Sequence, residues 1–335
     1  MGTWALAHAR PRLRRRAGRQ VPAIIAGAMR AAGLGETRPK DCDERATVLV
    51  TGAGGFIGRH LVRRLEGTGM RVHATVREGA ALVPPPPGTT ATFHRVDLRD
   101  RIAVADLFAA VRPDYVFNLV RGRGEATPGE RWTMLESTLW ATASVIEAAT
   151  AVGARRLVQI GSPTECGPTS GRVTEDTALS PTTLFGAAKG AATLLCLAAA
   201  ASERLPAAVL RPFVVYGPGS PANRLIPSAI AAALDGSELP LTRLRRDWIF
   251  VDDVVDACLA ALDGGADGEV VNVATGAQHT NEEASTWSSV RPAGGCGARP
   301  GLSRSGRGIR RAGLPTWARR SACSGGRRRR HSSEG

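Results

Sequence analysis

A chain of 335 residues is long enough for one large α/β domain, or for one domain with a smaller appended lobe. Its net charge is +14, but the positive excess is confined to the two ends. Residues 1–46 contain ten basic and four acidic residues, and residues 286–335 contain twelve basic residues and one acidic residue. Residues 47–285, by contrast, contain 22 basic and 25 acidic residues. Because a nucleic-acid surface interleaves its basic residues with folded elements, this distribution argues against nucleic acid as a partner.

The six cysteines include no C-x-x-C pair, which argues against a disulfide framework and against a zinc site. We therefore expect no bound metal. No apolar run approaches the ~18–20 residues that a membrane span requires, so we expect no membrane association. A reducing, cytoplasmic setting is the default expectation. The alternative is a twin-arginine or transit signal built on the three arginines at 14–16.

The two ends of the chain differ in composition from the middle. Residues 1–46 are predicted to be a basic flexible extension, with a later natural start at Met29 as an alternative. After about Ala284 the amphipathic pattern stops, and Gly, Arg and Ser dominate residues 286–335. This composition predicts a disordered basic tail, which is either natural or the product of a frameshift near residue 284.

Between these ends, strand-like and helix-like segments alternate. The β-branched run TVLV at 47–50 ends in a glycine-rich turn, helical spacing follows to Leu65, and a second strand is predicted at 71–76. Further strands are predicted at 92–96, 115–120, 157–160, 208–214 and 270–274, and helices at 102–111, 132–152, 184–201, 226–234 and 254–262. This alternation predicts an α/β fold with a doubly wound, Rossmann-type parallel sheet covered on both faces.

The glycine-rich turn has the spacing needed to hold a dinucleotide. Gly52, Gly55 and Gly58 follow a predicted strand and open a predicted helix, so main-chain amides at the helix N-terminus can approach a pyrophosphate. At the end of the second strand Arg77, followed by Glu78, suits the 2′-phosphate of NADP better than the ribose hydroxyl of NAD. The alternative for Arg77 is a solvated surface charge. The cofactor is therefore NAD(P), with NADP favoured.

Several motifs occur in order: TGAGGFIG at 51–58, VDLRD at 96–100, YVFNLV at 115–120, IGSPTECGP at 160–168 and SPTTLFGAAKGA at 180–191. With them, residues 47–283 resemble the extended short-chain dehydrogenase/reductases, the NAD-dependent epimerase/dehydratase family of nucleotide-sugar enzymes. The resemblance implies that the glycine turn, including Phe56 and Ile57, contacts the cofactor. It also implies that Asp97 and Leu98 contact adenine and that Asn118 lies near the nicotinamide-side ribose.

In this family a Ser or Thr, a Tyr and a Lys act together, and two of the three positions are filled here. Ser162 matches the residue that orients the sugar oxygen, and Lys189, the only lysine after residue 40, matches the one that lowers the Tyr pKa and binds the cofactor ribose. The Tyr position is Phe185, and neither Tyr115 nor Tyr216 precedes a Lys by four residues. Losing a general acid/base typically forfeits ~10²–10⁴ in rate.

Other side chains are candidates for the missing chemistry and for substrate binding. Glu165, Thr183 or a water held by Ser162 could carry the proton, although Glu165 is also consistent with a loop charge. The Asp-Glu pair of dehydratases is replaced by Pro163-Thr164, which argues against elimination of water. Arg246 matches the family arginine that grips the substrate diphosphate; the alternative is a solvated arginine in a loop with Arg243 and Arg245.

The sequence therefore predicts an NAD(P)-dependent epimerase or 4-ketoreductase acting on a nucleotide-activated hexose. A dinucleotide-binding protein without turnover, serving as a sensor or as the partner of an active relative, is the alternative, and a decayed or misread gene product is a third. Residues 47–180 are assigned to the cofactor domain, and residues 181–285 to the end of that domain plus a substrate lobe. We expect this lobe to be incomplete, because in the family the segment beyond residue 285 completes it. A homodimer through 132–152 and 184–201 is expected, unless these are core helices.

Overall fold

The computed structural model describes residues 45–286, apart from 78–87, 123–126, 170, 203–204, 240, 243 and 264–265. The expectations for the basic N-terminal extension, for Glu78, for Arg243 and for the C-terminal tail fall on residues outside these ranges.

A seven-stranded, wholly parallel sheet forms the centre of the described part, in the order β3-β2-β1-β4-β5-β6-β9. Its strands are β1 (Thr47–Thr51), β2 (Arg71–Val76), β3 (Thr92–Arg95), β4 (Tyr115–Asn118), β5 (Arg156–Ile160), β6 (Ala207–Pro212) and β9 (Val270–Val273). The chain leaves β1 toward one edge and returns beside it as β4, which produces a topological switch point between these two strands. The predicted α/β doubly wound fold is confirmed.

Helices cover both faces of the sheet because its strands are apolar on both sides. On one face lie α1 (Phe56–Glu66) and α6 (Val251–Ala260), whose buried side chains share a core with β1 and β2. On the other face lie α2 (Arg101–Val111), α3 (Pro128–Ala151) and α4 (Leu184–Ser202), which form the second core. Burial on both faces explains why β1 and β5 are continuous apolar-rich runs rather than alternating ones.

A small lobe stands beyond the carboxyl edge of β6. It contains a three-stranded sheet ordered β10-β8-β7, in which β8 pairs parallel with β7 and antiparallel with β10. Its elements are β7 (Val214–Tyr216), α5 (Leu225–Asp235), β8 (Arg245–Phe250), β10 (Gln278–Thr280) and α7 (Asn281–Thr286). The buried Asp247 carboxylate ties β8 to the turn before β10 by accepting bonds from the Thr275 hydroxyl and the Gly276 amide.

The helix α4 is long and apolar enough to cross a membrane by length and composition alone, contrary to the expectation from the sequence. One such helix is weak evidence for a span, since core helices pass the same test. Here α4 packs on α3, on β6 and on the turn after β5, and it carries the buried ammonium of Lys189.

Two histidines form a stacked pair on the α2 side of the sheet edge. His73 Nδ1 and His94 Nε2 are 2.8 Å apart, with ring centroids 5.1 Å apart. Partial burial lowers the pKa of His73 below its ordinary value of 6.5, assisted by the charges of His94 and Arg71, and burial lowers the pKa of His94 as well. The folded protein therefore takes up protons at these positions less readily than the unfolded chain does.

We expect acid to destabilise the fold through this pair. As the pH falls through about 6.5, the unfolded state binds protons first, so the pair makes the free energy of unfolding fall. His94→Gln should therefore show a smaller loss of melting temperature between pH 7.5 and pH 5.5 than the wild type. His60→Gln is the opposite-sign control, because the hydrogen bond to Asp252 raises the pKa of His60 and its stabilisation is greatest in acid. Identical pH profiles for wild type and His94→Gln would contradict this assignment.

Candidate functional site

A crevice of about 1370 Å³ opens at the carboxyl ends of β1, β4 and β5, where the strand order reverses. This is the position at which doubly wound sheets bind their ligands. Most of the residues singled out from the sequence line it, and these are Gly52, Gly55, Phe56, Ile57, Gly58, Arg77, Asp97, Leu98, Ser162, Phe185, Lys189 and Arg246. Asn118 and Glu165 do not line it.

The glycine turn is built by close approach of main chain to main chain. Gly52 has φ +67°, and a Cβ there would lie 3.0 Å from the carbonyl of Leu119. A Cβ on Gly58 would lie 2.5 Å from the Gly52 oxygen, so the start of α1 can press against the turn only without a side chain. Among the described residues no side chain caps α1, and no acidic residue occupies its first turn. The helix N-terminus thus keeps its amides and its positive dipole for an anion, and the turn fits a dinucleotide pyrophosphate.

The ends of β2 and β3 present charged side chains to the same crevice. Arg99 donates to both carboxylate oxygens of Asp97, with Nη2 2.6 Å from Oδ2, and also contacts Glu136. The bond from Arg99 lowers the pKa of Asp97 below its usual range, and the charge of Arg77 contributes. The Asp97 carboxylate is therefore held by a guanidinium fork, and Arg77 is a second basic side chain at this end.

Lys189 is 3% exposed and reaches the crevice from the inner face of α4. Its Nζ donates to the carbonyl oxygens of Val120 at 3.0 Å and Ile160 at 2.9 Å, one after β4 and one at the end of β5. Burial lowers the pKa of this ammonium to about 8; Glu165 opposes the shift, and the nearby Arg121 guanidinium adds to it. Lys189 thus remains mainly charged at neutral pH and is held where the two strands end.

Ser162 and Phe185 lie beside Lys189 in the crevice lining. Ser162 is the N-cap of the short helical turn Pro163–Cys166, and its hydroxyl lies 2.8 Å from the hydroxyl of Thr164. Phe185 is half-buried near the start of α4, and the guanidinium carbon of Arg121 lies 5.2 Å from its ring centroid. The Tyr position therefore holds an aromatic ring without a proton to exchange, and a cation covers its face.

Glu165 is neither a loop charge nor a crevice residue, so the expectation that it contacts substrate or carries a proton is not met. It is fully buried, and its Oε1 accepts the Ser162 amide at 2.6 Å. Its Oε2 accepts the Thr193 hydroxyl at 3.0 Å and pairs with the equally buried Arg211 of β6 at 3.3 Å. Glu165 consequently holds the Ser162 turn and stabilises the charge of Lys189 from behind.

Two other sequence candidates also serve the scaffold. Asn118 is fully buried behind the strand ends, where it is bonded to Thr51 at 2.5 Å and to Gln159 at 2.7 Å. It lies one residue before the Leu119 carbonyl that contacts Gly52, so it supports the crevice floor rather than lining it. The Thr183 hydroxyl accepts the Gly186 amide at 3.0 Å and thereby caps α4.

The small lobe supplies the opposite wall of the crevice. Arg246 is exposed on β8 and lines the crevice together with Arg224, the residue just before α5. Tyr216 also lines it, against Trp248 and Phe250, with a pKa raised by burial and by Asp253. The sequence motifs did not single out Arg121, Arg224 or Tyr216 as crevice residues.

The family model described as "NAD dependent epimerase/dehydratase family" matches residues 48–274, which is more than half of the chain. The chain belongs to the NAD-dependent epimerase/dehydratase family. Among its relatives, a dTDP-glucose 4,6-dehydratase of Neisseria gonorrhoeae is 29% identical over 261 residues, covering 71% of this chain and 75% of that protein. A dTDP-6-deoxy-L-talose 4-dehydrogenase (NAD(P)(+)) of Kitasatospora kifunensis is 32% identical over 248 residues, covering 70% and 76%.

Solved structures of similar proteins include MoeE5 in complex with UDP-glucuronic acid and NAD. It is 31% identical, with a TM-score of 0.62, and the match covers 71% of this chain and 79% of that one. The resemblance to nucleotide-sugar enzymes that was expected from the sequence is therefore confirmed. In this chain, the glycine turn and Lys189 line the crevice of a fold that the family shares.

We expect the loss of one partner of the buried Glu165–Arg211 pair to destabilise the fold strongly. Glu165→Gln leaves the Arg211 guanidinium buried without its counter-ion and should lower the free energy of unfolding by about 3–5 kcal/mol. The double variant Glu165→Gln/Arg211→Met should recover part of the loss, because it removes the unpaired charge. Urea unfolding measures both.

The matched control is Glu147→Gln, which removes the carboxylate of the exposed Arg101–Glu147 pair. Its stability should equal that of the wild type within error, since exposed pairs contribute little. A Glu165→Gln protein as stable as this control would contradict the role given to Glu165.

Proposed function

We propose that the protein is an NAD(P)-dependent epimerase or 4-ketoreductase of a nucleotide-activated hexose. One observation supports this proposal: a single crevice is lined by a glycine turn that fits a pyrophosphate, by the buried ammonium of Lys189 and by Ser162. When bound, the nicotinamide supplies or accepts hydride.

Each of this chain's own groups has a place in that chemistry. Lys189, fixed by two carbonyls, would bind the ribose hydroxyls on the nicotinamide side and favour negative charge nearby. The Ser162 hydroxyl would orient the sugar oxygen, and Thr164, 2.8 Å away, would share its proton. Arg246 on the small lobe would grip the substrate diphosphate with its planar fork.

Dehydration is not the proposed reaction, although several of the similar proteins are dTDP-glucose 4,6-dehydratases. Elimination of water needs an acid and a base at the leaving hydroxyl. The two positions after Ser162 that would carry them are Pro163 and Thr164, and the next carboxylate, Glu165, is buried against Arg211.

A second candidate function is dinucleotide binding without turnover, and Phe185 favours it. The ring has no hydroxyl to pass a proton to or from the sugar oxygen, and Arg121 cannot replace it because a guanidinium does not lose its proton in proteins. Under this candidate the protein would report the cofactor's redox state or accompany an active relative.

For the cofactor we propose a preference for NADP. Arg77 follows β2, Arg99 follows β3, and both line the crevice where an adenosine 2′-phosphate would meet them. The similar structure named above contains NAD, so the preference rests on these two side chains alone.

The decisive experiment begins with fluorescence titration of NADPH and NADH, in which NADPH should bind more tightly. Turnover of a 4-keto nucleotide sugar is then compared for the wild type, Phe185→Tyr and Phe185→Leu. We expect slow turnover by the wild type and an increase of about 10²–10⁴ in Phe185→Tyr, because the variant restores a proton carrier. The Leu variant controls for altered packing.

Turnover confined to Phe185→Tyr would favour the binding-protein candidate. If neither dinucleotide binds, both candidate functions are wrong.

We also propose that two copies associate through the outer faces of α3 and α4. Trp132 and Trp140 on α3 are 63% and 62% exposed, and Leu194 and Leu195 on the adjacent α4 are exposed as well. These side chains form an apolar surface on two helices that pack together, and a second copy would cover it symmetrically.

Light scattering should give twice the monomer mass for the wild type and the monomer mass for Leu194→Glu, because a buried unpaired carboxylate is costly. Leu234→Glu is the matched control: Leu234 is 73% exposed on α5, away from this surface, and its variant should remain dimeric. A monomeric wild type would exclude the interface.

A further inference from the structure

A short strap, residues 217–221, ties the small lobe to the helix that begins at the glycine turn. The strap leaves β7, lies against the first half of α1 and leads toward α5. Its main chain needs glycine, because φ is +149° at Gly217 and +78° at Gly219. Ser220 and Pro221 line the crevice together with the glycine turn. A dinucleotide whose pyrophosphate lies at the N-terminus of α1 would therefore have the strap as its neighbour.

Two consecutive side chains of α1 hold the strap by its main chain. Arg59 Nη2 donates to the carbonyl oxygen of Gly219 at 3.0 Å. His60 Nε2 lies 2.8 Å from the carbonyl oxygen of Pro218, and since a carbonyl oxygen can only accept, Nε2 is the donor. The other ring nitrogen, Nδ1, lies 3.5 Å from the carboxylate of Asp252 on α6. The strap, α1 and α6 thus meet at one imidazole ring.

Only the protonated ring of His60 satisfies both of these contacts. A neutral imidazole that donates from Nε2 to the strap turns the lone pair of Nδ1 toward the carboxylate, whereas an imidazolium donates from both nitrogens. The bond to Asp252 raises the pKa of His60 above its ordinary 6.5, and the Pro218 carbonyl adds to the rise against the opposing effects of burial and Arg59. The contact with the strap is therefore strongest below pH 6.5 and weakens as the pH rises through the raised pKa.

The other charged groups beside the ring leave the direction of this dependence unchanged. On α1, Arg59 stays charged, and Arg64 pairs with Asp256 of α6 at 2.7 Å. Burial and the neighbouring aspartates raise the pKa of Asp253, also on α6, to about 6, so this carboxylate is ionised through most of the range above pH 6. Tyr216 of β7 has a pKa above its ordinary 10 and stays neutral there. The strap itself, GPGSP, has no side chain that titrates.

We infer that Arg59 and His60 clamp the strap against α1, and that protonation of His60 tightens this clamp and slows the release of a bound dinucleotide. Arg59 supplies the part of the clamp that is independent of pH. Because the strap connects β7 to α5, the clamp holds the small lobe against the helix that carries the glycine turn. The statement about release rests on the dinucleotide binding of the proposed function, whereas the statement about the strap does not.

The first measurement is hydrogen exchange of the free full chain at pH 6.0 and pH 8.0, expressed as protection factors so that the intrinsic effect of pH on exchange cancels. The amide of Ser220 donates to the Gly217 oxygen at 3.1 Å, and that of Arg224 to the Pro221 oxygen at 3.0 Å. Such local bonds protect an amide only while the segment is docked. Their protection in the wild type should be about threefold greater at pH 6.0, as expected for a partly exposed ion pair.

Three variants identify the residue responsible. His60→Gln keeps a donor for the Pro218 carbonyl but does not titrate, so the protection factors should become equal at the two pH values. Arg59→Met should lower the protection at both. His94→Gln is the matched control, because it removes a histidine of β3 at the edge of the sheet and should keep the wild-type difference.

The second measurement is the rate of NADPH release, followed by stopped-flow fluorescence after displacement with excess NADP. The 2′-phosphate of NADPH itself titrates near pH 6, so the quantity compared is the ratio of the wild-type rate to that of His60→Gln. This ratio should fall about threefold between pH 8.0 and pH 6.0, matching the change in strap protection.

Equal protection of the wild-type strap at the two pH values would overturn the inference, even if release depends on pH, because the imidazolium would then act on the diphosphate directly. A difference in protection that survives in His60→Gln would also overturn it, as would a release ratio that does not change with pH. If NADPH and NADH both fail to bind, the proposed function is wrong, and the exchange measurement still decides whether the strap is clamped by His60.

Discussion

The site depends on one buried ammonium group. Lys189 Nζ donates to two carbonyl oxygens, one just after β4 and one at the end of β5. It thereby fixes the loops that follow these two strands relative to each other. Burying this charge is tolerable only because its hydrogen bonds are made and because Glu165, itself neutralised by Arg211, lies behind it. Charges of alternating sign thus extend from Arg211 on β6, through Glu165 behind the Ser162 turn, to Lys189 at the crevice.

The exchange of a tyrosine for Phe185 alters the electrostatics of the crevice as well as its proton chemistry. A phenol beside Lys189 would offer an oxygen toward the sugar, whereas a benzene ring offers only its face. In this chain the face is occupied by the guanidinium of Arg121. Where the family has a phenol with an exchangeable proton, this chain therefore has an apolar ring whose face is covered by a fixed cation.

Local patterns sufficed to predict the sheet and the glycine turn, because each is specified by residues close together in the sequence, whereas Lys189 was singled out by the resemblance to the family. The start of α3 was predicted at 132 and lies at Pro128, although Thr127 and Glu130 form a readable capping box with a proline between them. The strands β7, β8 and β10 were not predicted, since β7 and β10 have three residues each and β8 pairs with a strand more than 30 residues away. Glu165 was misjudged for the same reason: its partner Arg211 lies 46 residues further along the chain.

The close contact between α4 and the Ser162 turn has a mechanical consequence. A side chain on Gly186 would collide with the carbonyl of Thr164, and one on Gly161 would meet the carboxylate of Glu165. The wall that bears Ser162 and Lys189 is thus closely packed, with no room for a side chain at Gly161 or Gly186. The opposite wall is joined to β6 through Phe213, the one residue between Pro212 and Val214. If the crevice narrows around a bound molecule, we therefore expect the small lobe to move about this short connection while the Ser162 wall stays in place.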